Sequence, residues 1–232
     1  MQAAFEMEVA RHDSIIREAV THNTELIESH VIFHWLNQAI QRLVKVRYSG
    51  TEDGKGFEQT QKRTEDLRTL IKEIKLYVLA GVDGVNKPNS YVAALPNDYL
   101  ILVDEEVQIQ VPDQSGNFTK LARVGVSNCT HDTYSRHVLD PYSEHRLHYE
   151  VAKPLRLFNN TTVELVTDGS YTVNYYYLRY IKTPLQITVE SDDCDLPEHR
   201  HSEVVTKAVT LYLESISDSR YQTSSIESNQ NE

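Results

Sequence analysis

The period of the hydrophobic pattern changes twice along this chain, and those changes limit the folds that it can adopt. Between residues 27 and 46 apolar residues recur every three or four positions, which is the spacing of an amphipathic helix. In "VDEEVQIQV", at 103–111, apolar and polar residues alternate toward the end, which is the period of a β-strand. Helical spacing returns at 205–216. The sequence therefore predicts an α+β fold with helices at both ends and a β-rich middle.

Two N-terminal helices are predicted, over 29–48 and 60–76. The first presents one apolar stripe, and "TQKRTEDLRTLIKEIKLYVL" gives the second, with Leu67, Leu70, Ile71 and Ile74 on one side. The stripe of the first helix consists of Ile27, Val31, Trp35, Ala39, Leu43 and Val46. We expect the two helices to form a hairpin that packs with the C-terminal helix as a bundle, in a helical domain of residues 1–76 and 195–217.

The middle, residues 77–194, is predicted to be a sandwich or a barrel. Its strongest local signal is "TTVELVTDGSYTVNYYYLRYI", in which two strand-like runs flank Asp168-Gly169, the pair favoured in two-residue hairpin turns. Tyrosines occupy both faces of the second run, so we expect it to lie between two layers or to face a neighbouring subunit. Trp35, Tyr175 and Tyr177 are the candidates for contacts between subunits.

The start of the C-terminal helix carries a pattern typical of a cap. Asp195 is placed to cap the helix, Pro197 is tolerated in the first turn, and Glu198 fits the acidic position of a capping box. Residues 218–232 form a polar tail that cannot bury itself and is predicted to be a flexible docking arm, with Arg220, Tyr221 and Ile226 as its candidate contacts.

The charge and the cysteines exclude several classes of protein. The 23 basic and 34 acidic side chains give a net charge of −11, which argues against a reader of nucleic acid. The two cysteines are too few for a disulfide scaffold. The first residues do not resemble a signal peptide, and no apolar run is long enough for a membrane span. We expect a protein made inside a cell, with no membrane partner.

No pattern in the chain predicts an enzyme, although one candidate metal site stays open as an alternative. Cys194, His199 and His201 are residue types that bind zinc, and Cys129 with His131 could complete such a site, but the spacing matches no common zinc motif. Asp104, Glu105 and Glu106 could supply a carboxylate pair for acid–base chemistry. No cofactor is expected. The alternatives are therefore a metal-dependent enzyme that uses Cys194, His199 and His201, or a soluble regulatory binding module.

Several segments resemble a family of virion proteins of crAss-like and related Bacteroidetes phages. They are "FHWLNQAIQRLVKVRYSG", "GFEQTQKRTEDLRTLIKE", "LPNDYL", "RYIKTP" and "CDLPEHRHSEVVTKAV". The layout of a helical hairpin, a β-rich middle and a final helix after "LPE" is also similar to that of tail tubular protein A of short-tailed phages.

This resemblance implies a structural subunit of the connector between the phage head and tail. Such proteins form homododecameric rings that stack below the portal, bind the portal or adjacent ring proteins, and let the genome pass without specific binding. The expected location is the neck of the virion, after assembly in the host cytoplasm. The acidic net charge is consistent with a bore that does not retain DNA. Asp104, Glu105 and Glu106 are the candidates for the lining of this bore.

Overall fold

The computed structural model describes residues 1–16, 28–49, 61–82, 85–112, 118–149, 151–188 and 194–215. The chain divides into two compact units, a helical unit of Met1–Leu70 with Thr183–Glu232 and a β unit of Ile71–Lys182. The fold is thus mixed α+β with a sheet-rich middle and a C-terminal helix, as predicted. The first boundary falls after residue 70 and not after residue 76, because the residues between them belong to a strand of the β unit.

The described part of the helical unit contains three longer helices. They are α1 (Gln2–Ile16), α2 (Ser29–Ser49) and α5 (His201–Ser215), while α3 (Gln61–Asp66) is short. Single 3₁₀ turns follow α3, at Arg68–Leu70, and precede α5, at Glu198–Arg200. Helix α5 contacts both α1 and α2. Its buried residues include Val205, Ala208 and Val209 of the segment 205–216, because their helical spacing places them on one face.

The predicted helix over 60–76 is wrong. Only residues 61–66 are α-helical, and Ile71–Tyr77 form a strand, β1. The spacing of Leu67, Leu70, Ile71 and Ile74 fits a helix, but Ile74 and Leu76 also alternate with Glu73 and Lys75 as a strand requires. Pairing with strand β9 (Thr172–Lys182) decides between the two patterns. The predicted helical hairpin therefore does not form as described.

Helix α2 exists where it was predicted, but its buried face differs from the predicted stripe. The buried residues are Ile32, Phe33, Leu36, Ala39, Ile40, Leu43 and Val44. Trp35 is half-buried and Val46 is 55% exposed, while Ile27 lies outside the described residues. The buried face includes Ile32 and Leu36, which follow Val31 and Trp35 of the predicted stripe by one position. It is turned in that direction because α1 and α5 pack on that side of the helix.

In its described residues the β unit is a sandwich of two sheets. A four-stranded antiparallel sheet has the order β1-β9-β4-β5, with β4 at Tyr99–Pro112 and β5 at Phe118–Gly125. A five-stranded sheet has the order β2-β3-β8-β7-β6, in which β6 and β7 are parallel. Its strands are Leu79–Ala80, Ser90–Ala94, Ser127–Asn128, Leu155–Phe158 and Thr162–Val166, in chain order β2, β3, β6, β7 and β8.

One core joins the two sheets. Val107, Ile109 and Val111 of β4 are buried against Val163 and Leu165 of β8. The alternation predicted for β4 is therefore confirmed, with Val107, Ile109 and Val111 inside. A short helix, α4 (Tyr134–Leu139), covers the other face of the five-stranded sheet, where Tyr134 and Val138 pack on Leu155, Leu157 and Val166.

The predicted hairpin at Asp168-Gly169 is wrong. Strand β8 before it and strand β9 after it belong to different sheets and do not pair. The segment is a corner that carries the chain from one layer to the other. The Asp168 carboxylate accepts hydrogen bonds from the Ser170 and Leu147 amides, and Gly169 takes a φ of 86°. An aspartate and a glycine thus supply the same turn chemistry for a corner as for a hairpin.

Candidate functional site

The segment "LPEHRHSE" supplies half of an ion-pair cluster inside the helical unit. The Arg200 guanidinium donates to Asp66 from Nε at 2.8 Å and from Nη2 at 2.5 Å, and to Glu203 from Nη1 at 2.6 Å. Arg47 donates to the other Glu203 oxygen at 2.6 Å, and its Nε lies 3.4 Å from Asp66. The Asp66 side chain is only 2% exposed, so this carboxylate must be compensated by its neighbours.

This cluster, Arg47, Asp66, Arg200 and Glu203, ties three elements together. Arg47 belongs to the last turn of α2 and Asp66 ends α3, while Arg200 ends the 3₁₀ turn before α5 and Glu203 lies in the first turn of α5. Two nitrogens of Arg200 donate to one Asp66 oxygen while the third donates to Glu203, so the guanidinium is fixed in orientation as well as in distance. The cluster therefore sets how the entrance of α5 docks on α2 and α3, which is a structural task.

The candidate metal ligands are not brought together. His201 Nε2 lies 3.0 Å from the Leu196 carbonyl oxygen, and His199 lies 3.6 Å from Asp66 on the ion-pair cluster. Cys129 and His131 belong to the β unit, where Cys129 is buried under α4 and His131 contacts the Phe158 carbonyl. In the part of the chain that the structure describes, no three His, Cys, Asp or Glu side chains form a group that could hold a metal ion.

The predicted capping box is also wrong. Pro197 stands at the cap position of the 3₁₀ turn, and its own side chain makes no cap hydrogen bond. The Asp195 carboxylate instead accepts a hydrogen bond from the Leu185 amide at 2.9 Å, while Glu198 is exposed. Asp195 thus holds the segment that leaves β9 against the segment that enters α5. The Pro197 ring fixes φ, here −56°, and the chain enters the turn from this extended cap position.

A second link of this kind joins α2 to the segment after β9. The Asn37 side-chain amide donates to the Ile187 carbonyl and its oxygen accepts from the Ile187 amide, both at 2.9 Å. One side chain therefore satisfies both backbone groups of a residue that has no strand partner. The neighbouring candidate Trp35 is half-buried and packs edge-on against the exposed His34 ring at 5.2 Å between centroids.

The tyrosine candidates of β9 lie on the outer face of the four-stranded sheet, away from the core. Tyr175 and Tyr177 are half-buried there, while Tyr176 and Tyr180 of the same strand are buried on the inner face. Lys75 Nζ lies 3.5 Å from the Tyr175 ring centroid, and the Arg123 guanidinium lies 4.1 Å from that of Tyr177. Both faces of β9 are thus aromatic because one packs in the core and the other carries cation–π contacts.

The three acidic candidates for a bore lining split between two faces. Strand β4 alternates, so Asp104 and Glu106 lie on the outer face, where Asp104 is exposed and Glu106 pairs with Arg123. Glu105 points inward. Its side chain is 10% exposed and pairs with Arg156 of β7 at 2.6 Å, with the Tyr176 hydroxyl on its other oxygen at 2.7 Å. Glu105 therefore links the two sheets, and it is no longer a candidate for the lining of a bore.

An exposed set of apolar side chains lies in the segment around α4. Tyr142 is 88% exposed and Tyr149 is fully exposed, with a φ of 49° at Tyr149. Leu139 and Val151 are exposed beside them in sequence. The tail candidates Arg220, Tyr221 and Ile226 lie outside the described residues, as does the whole of 218–232.

The family of the chain follows from comparison with known proteins. The family described as phage tail ring protein 3/4 matches residues 12–225. The chain belongs to this family. Ring protein 4/5 of Bacteroides phage crAss001 is 26% identical over 201 residues, which cover 76% of this chain and 78% of that protein. The predicted membership among ring proteins of crAss-like phages is confirmed.

Family membership also bears on the expected role of the protein. The family is one of structural phage ring proteins, so it supports a role in the virion and in a ring, and it speaks against an enzyme. Among the helices of the described ranges, none is long and apolar enough to cross a membrane.

Two structural residues of importance escaped the sequence analysis. Arg156 lies in the apolar run "PLRLF", where a lone arginine at an inward position of a strand signals a buried partner. Asp66 gave no such signal, because its partners lie 19 residues before it and 134 residues after it, at Arg47 and Arg200.

Proposed function

We propose that the chain is a subunit of a ring in the head-to-tail connector of a phage, through which the genomic DNA passes. The observation that carries this proposal is the family match over residues 12–225. The ring is a homododecamer in this proposal, it contacts the portal or an adjacent ring protein, and it is assembled in the host cytoplasm. DNA slides through the bore and is not bound.

Two properties of the chain support a passive role of this kind. The net charge of −11 opposes retention of a polyanion. Buried charges of the described residues are held in links between elements, Asp66 with Arg200 in one unit, and Glu105 with Arg156 and Glu164 with the Lys87 amide in the other. Asp104 and Glu106 remain the candidates for a bore lining, since both lie on the outer face of a sheet.

The tail is the proposed docking arm. Residues 218–232 contain two sizeable apolar side chains, Tyr221 and Ile226. Burying each contributes about 1.5–3 kcal/mol, whereas ordering the backbone costs roughly 1–2 kcal/mol per residue. A groove on a neighbouring ring would have to supply the difference, and repetition around a ring would strengthen each weak contact.

Quantitative mass spectrometry of purified particles tests the proposal. The expected result is a copy number of this chain equal to that of the portal protein. Absence from particles, or a single copy in each, refutes the ring. Deletion of residues 218–232 tests the arm separately. The truncated protein should melt at an unchanged temperature yet fail to attach to the neighbouring ring, and attachment at full yield would refute the arm.

A further inference from the structure

The four-stranded sheet has two open edges, β1 on one side and β5 on the other. In the described part of the chain β1 pairs with β9 alone in this sheet, and β5 pairs with β4 alone. Neither edge strand contains a proline, so each retains its backbone donors and acceptors for a further partner. The two edges are the free sides of one sheet and face opposite directions along its hydrogen-bonding axis.

The core of the sandwich is incomplete at the same two edges. Ile74 and Leu76 of β1 and Ala122 and Val124 of β5 pack on the core but are only half-buried. In the central strands the corresponding side chains are fully covered, for example Val107, Ile109, Tyr176 and Leu178, each at 0% exposure. A further strand at either edge would cover these residues.

Exposed apolar side chains continue on the outer face of the two edges. Tyr77, at the end of β1, is 76% exposed, and Leu121 of β5 is 55% exposed. Side chains on both faces of the two edge strands are therefore only partly buried. A strand from a second molecule would bury more of their surface.

The strand directions allow the two edges to join. The sheet is antiparallel throughout and has an even number of strands, so β1 and β5 run in opposite directions. A rotation that brings β5 of one copy beside β1 of the next therefore creates an antiparallel pair. Such a contact is head-to-tail, since it uses two different surfaces, and repeated contacts of this type close into a ring when the rotation closes.

We propose that the β1 edge of one copy pairs with the β5 edge of the next copy, so that the four-stranded sheets run continuously from subunit to subunit. This inference rests on the proposed ring. One register suits both faces. It sets Glu73 opposite Arg123 on the outer face, where the ion pair that the two side chains make within one copy at 3.8 Å would be exchanged for one between copies. On the inner face it sets Ile74 opposite Ala122, so that these two half-buried apolar residues cover each other.

Disulfide cross-linking in assembled particles tests the pairing. The variant Glu73→Cys/Arg123→Cys is built with Cys194→Ser, since Cys129 is buried and Cys194 is the more accessible native thiol. Within one molecule β9 and β4 separate the two backbones by roughly 14 Å, which is too far for a disulfide, although the longer native side chains reach to 3.8 Å from each other. Oxidation of intact particles should therefore yield a ladder of covalent oligomers.

A one-residue slip supplies the matched control. In Glu73→Cys/Ala122→Cys the two thiols point to opposite faces of the proposed joint sheet, so no ladder should form. The two single-cysteine variants should also stay monomeric on a denaturing gel. Equal cross-linking of the matched and slipped pairs, or none in the matched pair, overturns the proposed pairing.

A second variant tests the edge without cysteine chemistry. Ile74→Lys places a charge on the inner face of the β1 edge, where it opposes strand addition, while Ala94→Lys adds the same charge at an exposed position of β3. We expect at least a tenfold loss of incorporation into particles for Ile74→Lys alone, with circular dichroism spectra like that of the native protein for both. If the chain is absent from native particles, the proposed ring fails. If it is present and Ile74→Lys enters like its control, only the edge pairing fails.

Discussion

The buried pair of Glu105 and Arg156 gives the sharpest prediction about the β unit. It links β4 of one sheet to β7 of the other at 2.6 Å, and the two side chains are 10% and 9% exposed. Burial raises the pKa of Glu105 above its ordinary value of 4.5, against the opposing effects of the Arg156 charge and the Tyr176 hydroxyl. Because the folded pKa is raised, the stability from this carboxyl is fully present below pH 4.5 and is lost as pH rises through the folded pKa.

The two single substitutions should therefore differ in cost. Glu105→Leu leaves the Arg156 guanidinium buried without its carboxylate, and arginine cannot lose its proton, so we expect a loss of about 3–5 kcal/mol in the free energy of unfolding. Arg156→Met leaves Glu105 buried, but a carboxyl can bind a proton, so its loss should be smaller. The double substitution removes both charges and should lie within about 1 kcal/mol of its parent or above it.

A double-mutant cycle in urea measures these differences. It is carried out in a Tyr176→Phe background, because the Tyr176 hydroxyl donates to Glu105 at 2.7 Å and would otherwise lose its acceptor. Unfolding is followed by circular dichroism at pH 7, with the m-value as a check on the denatured state. If the losses of the single variants simply add in the double variant, the two residues do not act as a pair. If Glu105→Leu is neutral, the carboxylate is not what compensates Arg156.

Three further predictions concern single sites. Asp66→Ala should lower the free energy of unfolding by about 3–5 kcal/mol, because two half-buried arginines lose the buried carboxylate between them. Glu198→Ala, at an exposed position, should stay within about 0.5 kcal/mol, and urea titrations compare the two variants. Burial lowers the pKa of His145 from its ordinary 6.5, so the stability that this histidine contributes is present above pH 6.5 and is lost as pH falls below that value. The variant His145→Gln should therefore show a flatter dependence of unfolding free energy on pH between pH 7 and pH 5. An unchanged dependence would contradict this. Gly169→Ala should cost about 1–2 kcal/mol because φ is 86° and a Cβ would come within 3.0 Å of a side chain, while Gly125→Ala, whose Cβ would meet nothing within 4 Å, should be near neutral in the same thermal melts.

Local pattern predicted the parts of this fold that local forces determine. Helix α2 spans Ser29–Ser49, close to the predicted 29–48, and the alternation of β4 correctly placed Val107, Ile109 and Val111 in the core. The same alternation already implied that Glu105 and Glu106 point to opposite faces, a consequence that the grouping of Asp104, Glu105 and Glu106 as one lining overlooked.

The errors arose where a distant partner decides the outcome. Residues 71–77 fit both periods until β9 pairs with them, and the turn at Asp168-Gly169 serves a corner as well as a hairpin. Spacing alone could not distinguish the candidate metal ligands at "CDLPEHRH" from residues with a structural role. Only the position of Asp66, far away in the chain, reveals that Arg200 is held in an ion-pair cluster.

The most direct test of the central claim is an image of the connector in intact particles. A reconstruction from particles that carry an epitope-labelled copy of this chain should place the label in a closed ring around the genome channel, with the rotational symmetry of that ring. Label in the capsid shell, at a single off-axis point, or missing from the particle would contradict the assignment of this chain to a connector ring.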